Sequence, residues 1–116
     1  MKGDDLAERL LEFGAQVLRL CSGVKKDVAG RHVARQLIRA ASAGGAIYEE
    51  ALGAQSRADF IHKIGMATKE MRESLYWLKR LERSDLAGAP QLNKLAGEAS
   101  QLVAILTASG KTAKRA

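Results

Sequence analysis

The chain has one proline, one cysteine and few aromatics, 4% of its 116 residues. Each shortage excludes something. Cys21 stands alone, so neither an internal disulfide nor a cysteine cluster for zinc is available, which suits a reducing compartment. Pro90 is the only strong helix breaker, and long stretches are left uninterrupted. With so few aromatics, a core must be built from Leu, Ile, Val, Met and Ala, a palette that favours helices packed at close range. No window approaches the ~18 apolar residues of a membrane span. The opening MKGDDLAERL carries acids where a secretory leader is apolar. The expectation is a soluble, cytoplasmic chain with no membrane role. No P-loop, dinucleotide fingerprint or catalytic-triad context is present, so neither a cofactor nor an enzymatic site is expected.

What is present is helical periodicity. Leu6, Leu10, Phe13, Val17 and Leu20 repeat at alternating intervals of four and three, one seam of a first helix. Asp5 is placed to cap it, with Glu8 in capping-box position, and Ser22 and Gly23 end it. Asp27 caps a second helix whose seam is Val33, Leu37, Ala40, Gly44, Ile47 and Ala51. The run from Ala40 to Ala46, AASAGGA, has nothing larger than Ser42. Two consecutive glycines, Gly44 and Gly45, cost helix stability of roughly 1 kcal/mol each relative to Ala. Either close packing against another helix or subunit offsets that cost, or the helix breaks there.

Ser56 and Asp59 open a third helix, with Phe60, Ile64, Ala67, Met71, Leu75, Leu78 and Leu81 as its buried stripe to about Arg83. After a loop from Ser84 to Ala89, Pro90 suits the first turn of a fourth helix bearing Leu92, Leu95, Ala99, Leu102 and Leu106. Short loops between amphipathic helices predict an all-α, antiparallel up-and-down four-helix bundle. It occupies residues 1–110 as one domain, with 111–116 as a flexible basic tail.

Lys and Arg number 19 against 13 Asp and Glu, a net charge of +6 that suits an anionic partner. Arg31, Arg35 and Arg39 fall at four-residue steps on one face of the second helix, just after Lys25 and Lys26, and Lys111, Lys114 and Arg115 close the chain. Such a stripe can track the phosphates of RNA or DNA without sequence preference. The competing reading is a solvated face, or arginines paired with acids of a neighbouring subunit. Glu49, Glu50, Asp59, Glu70 and Glu73 invite a metal reading, but no Glu-x-x-His occurs. They read better as ion pairs with Arg57, Lys63, Lys69 and Arg72 that fix helix register. Tyr48 and Trp77 read as amphipathic packing residues.

The strings AASAGGA, YEEA, SRADFIHK and KEMRESLYWL, with Gln36 and Arg39 ahead of them, resemble the family of 23S rRNA intervening-sequence proteins. Ile47 departs from that pattern, standing where the family usually has Asn. The resemblance implies a four-helix bundle that assembles as a homopentamer, and it assigns Gln36, Gly44, Gly45, Tyr48, Glu49, Glu50, Arg57, Asp59, Glu70, Glu73 and Trp77 to fold and assembly. The functional expectation is a non-enzymatic homo-oligomer that binds RNA or DNA through its basic surface. The alternative is a protein-interaction scaffold that binds no nucleic acid.

Overall fold

The structure is a computed structural model and describes residues 2–116. Among these residues there are four helices and no strand: α1 (Gly3–Ser22), α2 (Val28–Leu52), α3 (Arg57–Glu82) and α4 (Ala89–Arg115). They pack as a bundle 46 Å long and about 20 Å across, with extents of 46 × 21 × 19 Å.

Where the local chemistry was explicit, the helix starts follow it. The Asp27 carboxylate accepts the Gly30 N–H at 2.8 Å, and the Ser56 hydroxyl accepts the Asp59 N–H at 3.0 Å, each satisfying a donor the helix cannot. Pro90 lies in the first turn of α4. The expected cap of the first helix is different. Helix α1 begins at Gly3 with Lys2 before it, and no side chain caps it. Asp4 and Asp5 occupy the first turn instead, where a carboxylate opposes the positive end of the helix dipole.

The core is the predicted aliphatic one. All five seam residues of α1 and all five of α4 are buried. In α2, Ile47 is only partly buried, while Ala41 and Tyr48 join the core from beside the seam. In α3 Phe60 and Leu75 are only partly buried, and Ser74, next to Leu75, turns fully inward. Its hydroxyl donates to the Glu70 carbonyl at 3.0 Å, which removes the cost of burying it.

Helix α2 runs through Gly44 and Gly45 without a break. A Cβ on Gly44 would come within 2.6 Å of the Met71 sulfur, so α2 and α3 approach there only because the side chain is missing. Gly45 faces the Leu10 backbone of α1 at ordinary contact distance, 3.6 Å. A third glycine is tighter than either. A Cβ on Gly30 would fall 1.8 Å from the Lys25 carbonyl oxygen, because the α1–α2 connection folds back onto the first turn of α2.

The last helix does not stop at Gly110. It continues to Arg115, converting most of the expected tail into helix. Arg57, the first residue of α3, donates to the Ala113 carbonyl at 2.8 Å and to the Lys114 carbonyl at 3.0 Å. A cation on the last carbonyls both satisfies them and complements the negative helix end. Gly110 brings α4 against Ile64 just before this cap.

Candidate nucleic-acid interface

The cations singled out in the sequence fall into three groups. Lys25 and Lys26 lie in the α1–α2 connection, anchored by the Lys25 N–H to the Leu86 carbonyl at 3.0 Å and by the Lys26 ammonium to the Ser22 carbonyl at 3.1 Å. Arg31 and Arg35 follow on the first turns of α2 and are exposed. Together these four form a cationic end to the bundle. Among the described residues none of them is paired with a carboxylate.

Arg39, one turn further on, is different. Its guanidinium meets Glu70 at 3.3 Å and Glu73 on α3, and its Nε donates to the Gln36 side chain at 3.3 Å. Glu73 also accepts the Trp77 indole N–H at 3.0 Å. Hydrogen bonds from Arg39 first and Trp77 second hold the Glu73 carboxyl below its ordinary range. His32 caps this cluster with its ring edge-on to Trp77 at 5.6 Å. The arginine stripe therefore divides: Arg31 and Arg35 face solvent, and Arg39 ties α2 to α3. Its acid partners belong to the same chain.

Lys111, Lys114 and Arg115 form the third group, on the last turns of α4 beside the start of α3. Lys25 touches Leu86, just past the other end of α3. Helix α3 has 26 residues, so the two groups are separated by about 40 Å at ~1.5 Å per residue. On a single chain they lie at opposite ends of the bundle.

The remaining polar candidates are placed as structural parts. Lys63 reaches Glu50 at 2.9 Å, linking α3 to α2 as the sequence suggested. Lys69 and Arg72 do not take Glu70 and Glu73, whose place on the α2 side puts Arg39 nearer. Arg57 serves the end of α4 rather than an acid, and Asp59 stays at the α3 start, where its N–H is capped by Ser56. Tyr48 is buried, and burial first, then Asp4 and Glu49, push its phenol above the ordinary value. Among the described residues no group of three or more His, Cys, Asp or Glu is arranged to hold a metal, and no helix is long and apolar enough to cross a membrane.

Two features carried no sequence expectation. Arg9 of α1 makes a two-pronged pair with Glu98 of α4, at 3.0 and 2.6 Å, with Gln101 at 3.1 Å beside it. The partners are 89 positions apart, and only packing brings them together. An open groove of about 680 Å³ also runs between α1 and α2, lined by Leu11, Gly14, Ala15, Leu18, Ser42 and Gly45 among others, with Glu8 and Glu49 at one end. Leu11 and Leu18 are seven apart and outside the buried seam, a second apolar stripe that could have been read from the sequence.

No curated protein matches this chain. A solved structure does: a protein of unknown function from the S23 ribosomal protein family of Bacteroides thetaiotaomicron VPI-5482, determined at 1.70 Å. It is 30% identical over 96% of this chain and 99% of the other, with a TM-score of 0.86. The family model described as 23S rRNA-intervening sequence protein matches residues 5–108, which takes in all of α2 and α3 and most of α1 and α4. With that match over most of its length and the same four-helix architecture, the chain belongs to the 23S rRNA-intervening sequence protein family.

Proposed function

We propose that this chain is a non-enzymatic, cytoplasmic homo-oligomer that binds RNA or DNA without sequence preference through the cationic end formed by Lys25, Lys26, Arg31 and Arg35. The observation that carries the reading is the exposure of Arg31 and Arg35 with no carboxylate partner among the described residues. Unneutralised cations at one end of a rigid bundle suit phosphate oxygens. Trp77 is engaged with Glu73 and His32, and the cations reach phosphates rather than base edges, so contacts would stay with the backbone. The family description concerns 23S rRNA, which makes RNA the first polyanion to try.

Within the subunit, an antiparallel up-and-down course is supported by cross-helix pairs that set the start of α3 beside the end of α4, as Arg57 does with Lys114. The resemblance supplies the ring of five. In a ring, each cationic end is repeated, and weak phosphate contacts add up along one strand.

A mobility-shift titration with mixed-sequence RNA and DNA at low salt tests the proposal. Micromolar binding that falls steeply with salt is expected, and an absence of any shift at micromolar protein would sink it. The second reading, a scaffold for another polypeptide, is favoured by one observation, the open apolar groove between α1 and α2. It gains if nucleic acid fails to bind while a polypeptide partner is retained through nuclease treatment and is lost when the groove residues are substituted.

A further inference from the structure

The outer face of α3 carries cations that neither the core nor the cationic end uses. Lys69, Arg72, Tyr76, Arg80 and Arg83 recur at intervals of three and four and so share one side of the helix, away from the buried Ala67, Met71, Ser74, Leu78 and Leu81. All five are exposed. Glu70 and Glu73, close by on the same helix, are held by Arg39 of α2, and among the described residues no carboxylate pairs with any cation of the stripe. Its charge is left for another molecule. Tyr76 stands at the midpoint with 49% of its surface exposed, and its ring is held in place. The Arg80 guanidinium donates to the Tyr76 hydroxyl at 2.8 Å and lies 5.8 Å from the ring centre, while the Trp77 ring meets it edge-on at 5.0 Å. Through Trp77 the stripe reaches His32, which follows Arg31 in the chain. The two basic surfaces therefore adjoin.

We propose that this face binds single-stranded nucleic acid, with phosphates on Lys69, Arg72, Arg80 and Arg83 and a base stacked on Tyr76. From Lys69 to Arg83 the stripe runs about 21 Å at ~1.5 Å per residue, a length that a few nucleotides span. A tyrosine ring set between cations offers its π-system to any base, so the contact tolerates sequence. Only an unpaired strand can use it, because the bases of a duplex are already stacked on one another. A duplex or an acidic polypeptide would find the charges and not the ring. That asymmetry selects the occupant. The inference rests on the nucleic-acid reading and deepens it: Arg31 and Arg35 hold phosphates at the end of the bundle, and α3 adds a base contact that an unpaired strand alone can make.

Fluorescence anisotropy of labelled oligonucleotides with the full chain at low salt tests it, using an unstructured mixed-sequence RNA, a duplex of the same length and an abasic strand with the same phosphates. Tyr76→Ala is expected to weaken binding of the single strand about tenfold and of the duplex and abasic strand by less than about twofold, with Tyr76→Phe close to wild type. Tyr76 is exposed, and circular dichroism checks that the variants melt as the wild type does. Lys69→Ala/Arg72→Ala is expected to weaken all three ligands and to reduce the salt dependence. A Tyr76→Ala chain that holds the single strand as tightly as the wild type would overturn the stacking contact while leaving polyanion binding at the cationic end standing. Full retention of binding by Lys69→Ala/Arg72→Ala would remove the strand from α3. Poly-glutamate bound as tightly as the RNA would overturn the inference in favour of an acidic polypeptide. No binding of any nucleic acid would overturn both readings.

Discussion

Three glycines of α2 meet different surroundings, and their substitution should separate accordingly. At Gly30 an added Cβ strikes a backbone carbonyl, which cannot swing aside. Gly30→Ala should therefore cost about 1–3 kcal/mol or more as the α1–α2 connection is forced off α2, seen as a lower denaturant midpoint. Gly44→Ala presses the Met71 side chain, which is flexible enough to move, so a small net change is expected. Gly45→Ala adds only ordinary contact with Leu10 and should gain roughly 0.5–1 kcal/mol from helix propensity. A stabilised Gly30→Ala or a strongly destabilised Gly45→Ala would contradict this order.

Glu73 is the residue through which acid should act. Its folded-state carboxyl is held below the ordinary 4.5 by Arg39 and Trp77, so it binds protons less readily folded than unfolded. The stability it contributes is present above pH 4.5 and is lost as pH falls through the depressed folded value. Thermal melting followed from neutral pH into that acid range should show Glu73→Gln with a flatter profile than the wild type. Parallel profiles would remove Glu73 from the account. Cys21 is the opposite case: burial pushes its thiol up to about 11, and it should stay inert to thiol reagents near neutral pH until the chain is unfolded.

Helix α4 depends on α3 for its ending. Without Arg57 the carbonyls of Ala113 and Lys114 revert to water, and nothing apolar holds the helix past Gly110 strongly enough to replace the cap. Arg57→Ala is expected to speed amide hydrogen exchange in the turn from Lys111 to Arg115, with a stability loss of about 0.5–1.5 kcal/mol. Unchanged exchange there would mean that the helix sustains its own end. Asp27→Ala should act at the start of α2 in the same way, costing ~1 kcal/mol for the lost N-cap.

For the whole molecule, the division of the arginine stripe makes a sharper prediction than charge alone. Arg31→Ala/Arg35→Ala should weaken RNA and DNA binding alike and reduce its salt dependence while leaving the melting temperature close to wild type. Arg39→Ala should do the reverse, lowering the melting temperature by uncoupling α2 from Glu70 and Glu73. If Arg39→Ala proves the most damaging to binding with no loss of stability, the interface has been placed on the wrong residues.

Local chemistry carried the sequence reading a long way. Alternating aliphatic seams, the Asp27 and Ser56 caps and Pro90 in a first turn depend on residues within one or two turns of each other, so they are legible without the fold. Family membership was legible for the same reason, in the dense strings from Gln36 to Leu78. Tertiary structure decided what depends on distance across the bundle. It chose Arg39 over Lys69 and Arg72 as the partner of Glu70 and Glu73, joined Arg9 to Glu98, and extended α4 through a cap supplied by Arg57. It also divided the arginine stripe, because Arg39 lies against the acids of α3 while Arg31 and Arg35 flank the hollow beside the α1–α2 connection. Periodicity places a side chain on a face. Only the neighbouring helix determines whether that face meets a carboxylate, a carbonyl or water.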